Sequence, residues 1–198
     1  VYFTLPEFKL EPDMVVFDFG ANKGIFTLLA ALYCKKVVAV EAVEEFIDDI
    51  KKNLAANGCL NKVSIIKGIV GGGSGMFADP KIRKKWFGEN PPPIFSVDEL
   101  MKKEGVEKVD FLKIDIEGSE YDLFGKKENW FSKVHYIAME IHNSFLSSGI
   151  RVPGGDMRKI ISNLKESNFD VKLVDLDGKI VSEIKDDAGY LFAKNLFF

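Results

Sequence analysis

Val16-Phe17-Asp18-Phe19-Gly20-Ala21-Asn22-Lys23-Gly24-Ile25-Phe26-Thr27 is the stretch that decides the fold. An apolar run ends at a glycine, and a segment of helical composition, Gly24 to Tyr33, follows with no linker between them. A strand that turns straight into a helix is the opening unit of an open α/β sheet, and that turn is where such sheets bind ligands. Gly20 lets the chain turn sharply and lets a ligand approach the backbone. Gly24 is expected to let the helix pack close to the sheet. The N-terminus of the helix offers unpaired N–H groups to a carboxylate or phosphate.

Working outward, the rhythm of strand and helix repeats. Lys36 to Glu41 is β-branched and apolar, and Glu44 to Asn57 carries Phe46, Ile47, Ile50 and Leu54 at helical spacing, stopped by Asn57-Gly58. Val63 to Lys67, Val109 to Ile116 and His135 to Ile141 read as further strands, and Met157 to Ser167 as a helix. Asp170 to Asp175, Lys179 to Ile184 and Gly189 to Ala193 read as short strands, the first two joined through Asp177-Gly178. Strands apolar on both faces need helices on both sides. The expectation is a three-layer α/β/α, Rossmann-like doubly wound, mostly parallel sheet closed by a C-terminal antiparallel hairpin, in a single domain over residues 1–198. Two stretches break the rhythm: Gly68 to Ile94, with its glycine run, basic run and three prolines, and Asn143 to Gly155. Long irregular segments of this kind are usually functional, and the first is expected to be a lid over the site.

Composition narrows the function. The chain has 198 residues, 46% of them hydrophobic, enough for one domain to bury a core without metal or disulfide support. There are 27 Lys+Arg against 30 Asp+Glu, so the domain lacks the basic excess of a nucleic-acid-binding protein. Cys34 and Cys59 form no Cys-x-x-Cys pair and are expected as buried free thiols. No basic segment precedes an apolar one at Val1-Tyr2-Phe3-Thr4, and the greasy stretch Ile25 to Cys34 is too short to span a bilayer. A cytoplasmic protein is expected, with no membrane span.

The ligand follows from what the glycine loop lacks. The dinucleotide fingerprint places a second glycine where Asn22 stands, so room for a pyrophosphate is missing, and no P-loop motif is present. Asp18 would repel a phosphate and suit an ammonium group. Glu41 ends the second strand 21 residues after Gly20, where a carboxylate can accept both hydroxyls of a ribose. An adenosine ribose, no pyrophosphate and a cationic amino-acid end describe S-adenosylmethionine. The plainer alternative is a tight turn at Gly20 and Gly24 with Glu41 a solvated strand end.

A second run carries the chemistry: Asp110-Phe111-Leu112-Lys113-Ile114-Asp115-Ile116-Glu117-Gly118-Ser119-Glu120. Side chains alternate along a strand, so Lys113, Asp115 and Glu117 are expected on one face near its carboxyl end. Glu140 and His142 share a face at the end of the next strand. Two neighbouring strands would then aim acids and an imidazole at one crevice. Lys113 in an internal salt bridge, and Ser119 as a helix cap, are the structural alternatives. Asp115, Glu117, Glu140 and His142 are also ligand types for a hard cation, but no tight ligand spacing supports one, and no metal is assigned. His135 is expected to be structural.

These residues resemble the FkbM-type methyltransferases, a group of class I enzymes that use S-adenosylmethionine. The resemblance rests on the glycine loop with its Gly20-Ala21-Asn22 core, on Val38-Ala39-Val40-Glu41-Ala42 with Asn53-Leu54-Ala55-Ala56-Asn57, and most specifically on Leu112-Lys113-Ile114-Asp115-Ile116-Glu117-Gly118-Ser119-Glu120. Ala138-Met139-Glu140-Ile141-His142 resembles the family's fifth strand. Ala42 departs from the proline usual after the acid, and Gly68-Ile69-Val70 leaves the adenine contact unassigned. The resemblance implies the class I methyltransferase fold, with Asp18, Gly20, Ala21, Asn22, Gly24 and Glu41 binding S-adenosylmethionine. It also implies methyl transfer to oxygen, commonly a sugar or other small-molecule hydroxyl. A neutral hydroxyl needs a base, and Asp115, Glu117, His142 and Glu140 are the candidates. The alternatives are a nicotinamide-dependent oxidoreductase, a catalytically silent binder of the same cofactor, and an RNA methyltransferase contacting its substrate through Lys81-Ile82-Arg83-Lys84-Lys85-Trp86.

Overall fold

The computed structural model describes residues 1–71, 75–142, 144–147, 150–153 and 155–198. Of the two irregular stretches, Gly72-Gly73-Ser74, Asn143, Ser148, Gly149 and Gly154 lie outside the described residues.

The strands are β1 (Val15–Phe19), β2 (Lys36–Glu41), β3 (Val63–Lys67), β4 (Ile69–Val70), β5 (Ile94–Phe95), β6 (Val109–Ile114), β7 (Val134–His142), β8 (Ser144–Ser147), β9 (Ile150–Pro153), β10 (Phe169–Val174), β11 (Ile180–Val181) and β12 (Ala188–Asn195). The α-helices are α1 (Ile25–Tyr33), α2 (Glu44–Ala56), α3 (Pro80–Phe87), α4 (Val97–Glu104), α5 (Glu120–Phe124) and α6 (Met157–Glu166). Eight strands form the main sheet in the order β11-β10-β12-β7-β6-β1-β2-β3. Pairs from β3 to β7 are parallel, while β7–β12, β12–β10 and β10–β11 are antiparallel.

Alternation on the strands builds the layers. Phe17 and Phe19 pack into one core with Leu100 and Met101 of α4, Phe124 of α5, and Ile160 and Leu164 of α6. Val16 points the other way, into a core with Ala30 and Ala31 of α1, Ile50 and Leu54 of α2, and Leu5 and Phe8 of the N-terminal segment. The sheet therefore lies between two helical layers, the doubly wound arrangement expected. His135 stacks on Phe198, 4.6 Å between ring centroids, and both cysteines are buried and free.

Four local expectations need correction. Gly24 serves helix–helix rather than helix–sheet packing: with φ +79°, a Cβ there would sit 2.9 Å from Ile50 Cγ1 of α2. β6 stops at Ile114 instead of continuing to Ile116, because Glu117 and Gly118 take positive φ (+55° and +93°) and turn the chain. The alternation argument thus does not reach Glu117. Asn143 to Gly155 is not simply irregular, since β8 and β9 pair antiparallel within it. The stretch Gly68 to Ile94 contains α3, begun by Asp79, whose side chain accepts from the Lys81 amide, with Pro80 as the first helical residue.

Candidate functional site

The tips of β6, β1, β2 and β3 stand side by side, and over them lies a cavity of about 330 Å³. Gly20 and Asn22 line it from the tip of β1, Glu41 from β2, Gly68 to Val70 beyond β3, and Asp115 and Glu117 beyond β6.

The glycine loop is fixed from three sides. The Gly20 and Ala21 amides both donate to the Val40 carbonyl, at 3.0 and 3.1 Å. Gly20 has φ +73°, and a Cβ there would overlap the Asp115 carbonyl, so no other residue fits this turn. Beneath the loop, Lys113 Nζ lies 2.6 Å from the Gly20 carbonyl and 3.1 Å from Asp18 Oδ1. Thr27 donates to the other Asp18 oxygen. Asp18 is 0% exposed and Ala21 is buried. The structure therefore holds the Asp18 carboxylate beneath the loop, off the cavity wall, and Lys113 forms the internal salt bridge.

Glu41 accepts from the amides of Asn22 (2.7 Å), Ala42 (2.8 Å) and Val43 (2.9 Å). Burial lifts its carboxyl above the ordinary range, against the pull of these three donors. Its carboxylate thereby ties the glycine loop to the tip of β2.

At the other end of the cavity, acids gather around one imidazole. His142 Nε2 lies 3.8 Å from Glu117 Oε2 and 3.8 Å from Glu140 Oε1, while its Nδ1 lies 3.3 Å from Glu120 Oε1. Burial pulls the imidazole down, but Glu120, Glu117 and Glu140 together outweigh it and push its pKa up to about 9. The surrounding carboxylates thus favour the charged imidazolium over the free base. Burial raises Glu117 and Glu140, which makes both better proton acceptors than ordinary carboxylates. Donor atoms of Asp115, Glu140 and His142 also lie within 4.8 Å of one another, a spacing that a shared cation can bridge. Of the four expected catalytic residues, Asp115 and Glu117 line the cavity, with Glu140 and His142 behind them.

Four residues take part in or support the site beyond those the sequence assigns to it. The Tyr2 hydroxyl donates to Asp115 Oδ2 at 3.1 Å, from 113 residues away, and no local pattern announces that contact. Glu120 is wholly buried behind His142. Phe77 and Trp86 line the cavity from within the segment expected to be a lid.

A glycine turn beneath a nucleoside-sized cavity, an acid at the tip of β2 and an antiparallel strand inserted beside β7 define a class I methyltransferase fold. Residues 18–171 match the Methyltransferase FkbM domain, and the chain belongs to that family. The family is one of methyltransferases that use S-adenosylmethionine, and the nicotinamide alternative is set aside. A segment of 59 residues is 41% identical to protein MJ1452 of Methanocaldococcus jannaschii, and spans 22% of that protein's length. Among solved structures, an rRNA methylase from Streptococcus thermophilus superposes with TM-score 0.58 at 12% identity, over 98% of this chain and 93% of that one. SMU.1697c of Streptococcus mutans, solved with S-adenosylhomocysteine, gives 0.57 at 11% identity, over 98% and 95%. The precorrin-6y C5,15-methyltransferase of Geobacter metallireducens gives 0.53 at 12%, over 96% and 84%. These likenesses establish the shared fold. Among the described residues no helix is long and apolar enough to cross a membrane.

Proposed function

We propose that this chain, acting as one domain in the cytoplasm, methylates a hydroxyl oxygen of a small-molecule acceptor, sugars included. The observation that carries the reading is the pair of carboxylates, Asp115 and Glu117, that line the cavity beyond β6, with Glu140 behind them beside His142. Hydroxyl methylation needs a proton acceptor at that place, because a neutral hydroxyl is a poor nucleophile.

The residues fit the cofactor. Asn22, Gly20 and Glu41 face the cavity, and the absent side chain of Gly20 lets the loop close onto the Asp115 carbonyl. Glu41 would take the ribose hydroxyls, Gly20 and Asn22 would meet the amino-acid part, and Gly24 and Ala21 would shape the loop. Asp18 would act through Lys113 and Thr27 by holding that loop. The bound cofactor supplies an electrophilic methyl group on sulfur. The acceptor hydroxyl would be oriented by Asp115 and Glu117, with the raised carboxyl of Glu117 taking its proton. His142, cationic between Glu117 and Glu140, keeps the crowded carboxylates ionised and in place. Positioning of this kind supplies much of the rate in an in-line displacement.

RNA as the acceptor finds little support. The basic run on α3 is partly engaged within the chain: Arg83 donates to the Phe77 carbonyl and Lys84 pairs with Glu89 at 2.6 Å. The acids at the acceptor end would repel phosphates. The test is release of S-adenosylhomocysteine by purified protein across hydroxylated sugars, other alcohols and RNA. Turnover with an alcohol supports the reading. Turnover with RNA alone overturns it, and cofactor binding without turnover across the panel favours a silent binder.

A further inference from the structure

His142 ends β7 and stands in a ring of carboxylates. Glu140, two residues earlier on the same strand, shares its face. β6 runs parallel to β7 with Ile114 opposite Met139, so Asp115, the next residue, comes up beside Glu140. Donor atoms of Asp115, Glu140 and His142 lie within 4.8 Å of one another. Donors on one divalent cation lie up to about 4.2 Å apart, twice a bond of about 2.1 Å. Small side-chain rotations would therefore bring all three onto one ion. Glu117 Oε2, 3.8 Å from His142 Nε2, borders the same place.

The imidazole is held as a metal ligand is held. Glu120, the first residue of α5, is 0% exposed. Its Oε1 lies 3.3 Å from His142 Nδ1 and accepts the Ile116 amide at 3.2 Å. A carboxylate can only accept, so Nδ1 is a nitrogen that carries hydrogen. Nε2 is left facing Glu140 and Glu117, each at 3.8 Å. That is beyond hydrogen-bond reach, yet it suits two ligands on one ion. A carboxylate behind a ligating histidine fixes its tautomer and its direction. Asp115 is oriented in a similar manner, by the Tyr2 hydroxyl donating to Oδ2 at 3.1 Å. Charge points the same way. Asp115, Glu117, Glu120 and Glu140 crowd one imidazole, and Glu120 Oε2 is buried with no hydrogen-bond partner among the described residues. Lys113, the neighbouring ammonium, is committed to Asp18 and to the Gly20 carbonyl. One imidazolium cannot neutralise all these carboxylates.

We propose that Asp115, Glu140 and His142 Nε2 form a site for a divalent transition cation, with Glu120 and Tyr2 as its outer supports. One imidazole nitrogen with carboxylate oxygens suits Mn²⁺ or Zn²⁺ better than Ca²⁺, which takes about six to eight oxygens. A ligating imidazole nitrogen must be unprotonated, so the cation takes the place of the proton that His142 otherwise holds on Nε2. Binding there needs neither cofactor nor acceptor. On the hydroxyl reading above, the cation would also meet the acceptor oxygen and ease loss of its proton to Glu117.

The experiment is calorimetric titration of the purified protein, stripped with EDTA and dialysed near pH 8, with MnCl₂, ZnCl₂ and CaCl₂ in the absence of cofactor. Loss of the free Mn²⁺ paramagnetic resonance signal is followed in parallel, and circular dichroism checks that each variant is folded. One Mn²⁺ per chain is expected, with Kd about 1–100 μM and Ca²⁺ at least about tenfold weaker. Glu140→Gln and His142→Gln should each weaken Mn²⁺ about tenfold or more. Glu120→Gln should weaken it about 10–100-fold, through the histidine it backs. Should that buried variant not fold, Glu140→Gln decides the matter, since the Glu140 side chain is 24% exposed. Absence of Mn²⁺ and Zn²⁺ binding at about 1 mM overturns the site. Wild-type Mn²⁺ affinity in both Glu140→Gln and His142→Gln overturns it as well, because the ion would then sit elsewhere. Ca²⁺ held as tightly as Mn²⁺ overturns the imidazole as a ligand. S-adenosylhomocysteine titrated separately tests the cofactor reading, and failure there leaves the metal result standing.

Discussion

Lys113 of β6 forms a buried ion pair with Asp18 of β1, 3.1 Å between Nζ and Oδ1, directly beneath the glycine loop. The two side chains are 5% and 0% exposed, and the ammonium also meets the Gly20 carbonyl. Removing one partner strands the other charge in the core, which typically costs about 3–5 kcal/mol. Lys113→Met should lower the unfolding free energy, measured in urea, by an amount of that order. Asp18→Asn together with Lys113→Met should recover part of the loss, because the stranded charge is gone. Equal stability of single and double variants would show that the pair contributes packing alone.

Gly20 takes a backbone angle that L-residues avoid, and the Asp115 carbonyl occupies the place of its absent side chain. Gly20→Ala must push β1 and β6 apart at their tips. We expect destabilisation of about 2 kcal/mol or more, from strain and overpacking together. S-adenosylhomocysteine affinity should fall at least about tenfold. A folded variant with wild-type affinity would remove the loop from the binding site.

Glu41 accepts three amides of its own chain, which fix the orientation of its carboxylate. Glu41→Gln retains one acceptor oxygen and loses the charge. Cofactor affinity should drop by about 1–3 kcal/mol, the range for hydrogen bonds to a charged partner. Unchanged affinity by calorimetry would free Glu41 from the ribose role.

Much of this architecture is legible along the chain, and the exceptions have physical causes. Strands β1, β2 and β3 and the turn at Gly20 declare themselves because a buried parallel strand must be apolar throughout. α4 carries signals that the strand–helix rhythm alone leaves unassigned: Ser96 and Glu99 form a capping box, Val97, Leu100 and Met101 are buried at helical spacing, and Gly105 ends it. The position of the Asp18 carboxylate was not legible. An acid before a glycine looks the same whether it meets a ligand or a lysine 95 residues further on. Glu117 shows the same limit, since one positive φ redirects a side chain that alternation had placed. The contacts of Tyr2 and Trp86 with the site depend on tertiary packing, to which local periodicity is blind.

Asp115 lines the cavity and accepts the Tyr2 hydroxyl, which burial and the nearby carboxylates keep protonated and able to donate. Asp115→Asn preserves an acceptor for that hydroxyl but removes the charge. Release of S-adenosylhomocysteine with an identified acceptor should fall by about a hundredfold or more, in the range for loss of a positioned acid or base. Thermal stability and cofactor affinity should stay close to wild type. Full turnover would leave Glu117 as the proton acceptor with no part for Asp115.

His142 links the chemistry to stability through pH. Folded, its pKa is pushed up to about 9; unfolded, it returns to the ordinary value of 6.5. A group that binds its proton more tightly when folded stabilises the fold fully below its unfolded pKa. That contribution is lost as pH climbs through the folded value. The difference amounts to about 2–3 kcal/mol between pH 6.5 and 9.5. Glu117 and Glu140 are also raised, so they add a loss of the same sign that starts lower, near the ordinary carboxylate range. Urea midpoints of the wild type should therefore fall across the alkaline window. His142→Gln, which can still donate to Glu120, should show a much flatter profile there. A wild-type midpoint that stays level from pH 7 to 9.5 would mean that the folded protein holds the imidazole neutral. His142 would then return to the list of proton acceptors, and the carboxylates around it would need another counter-charge.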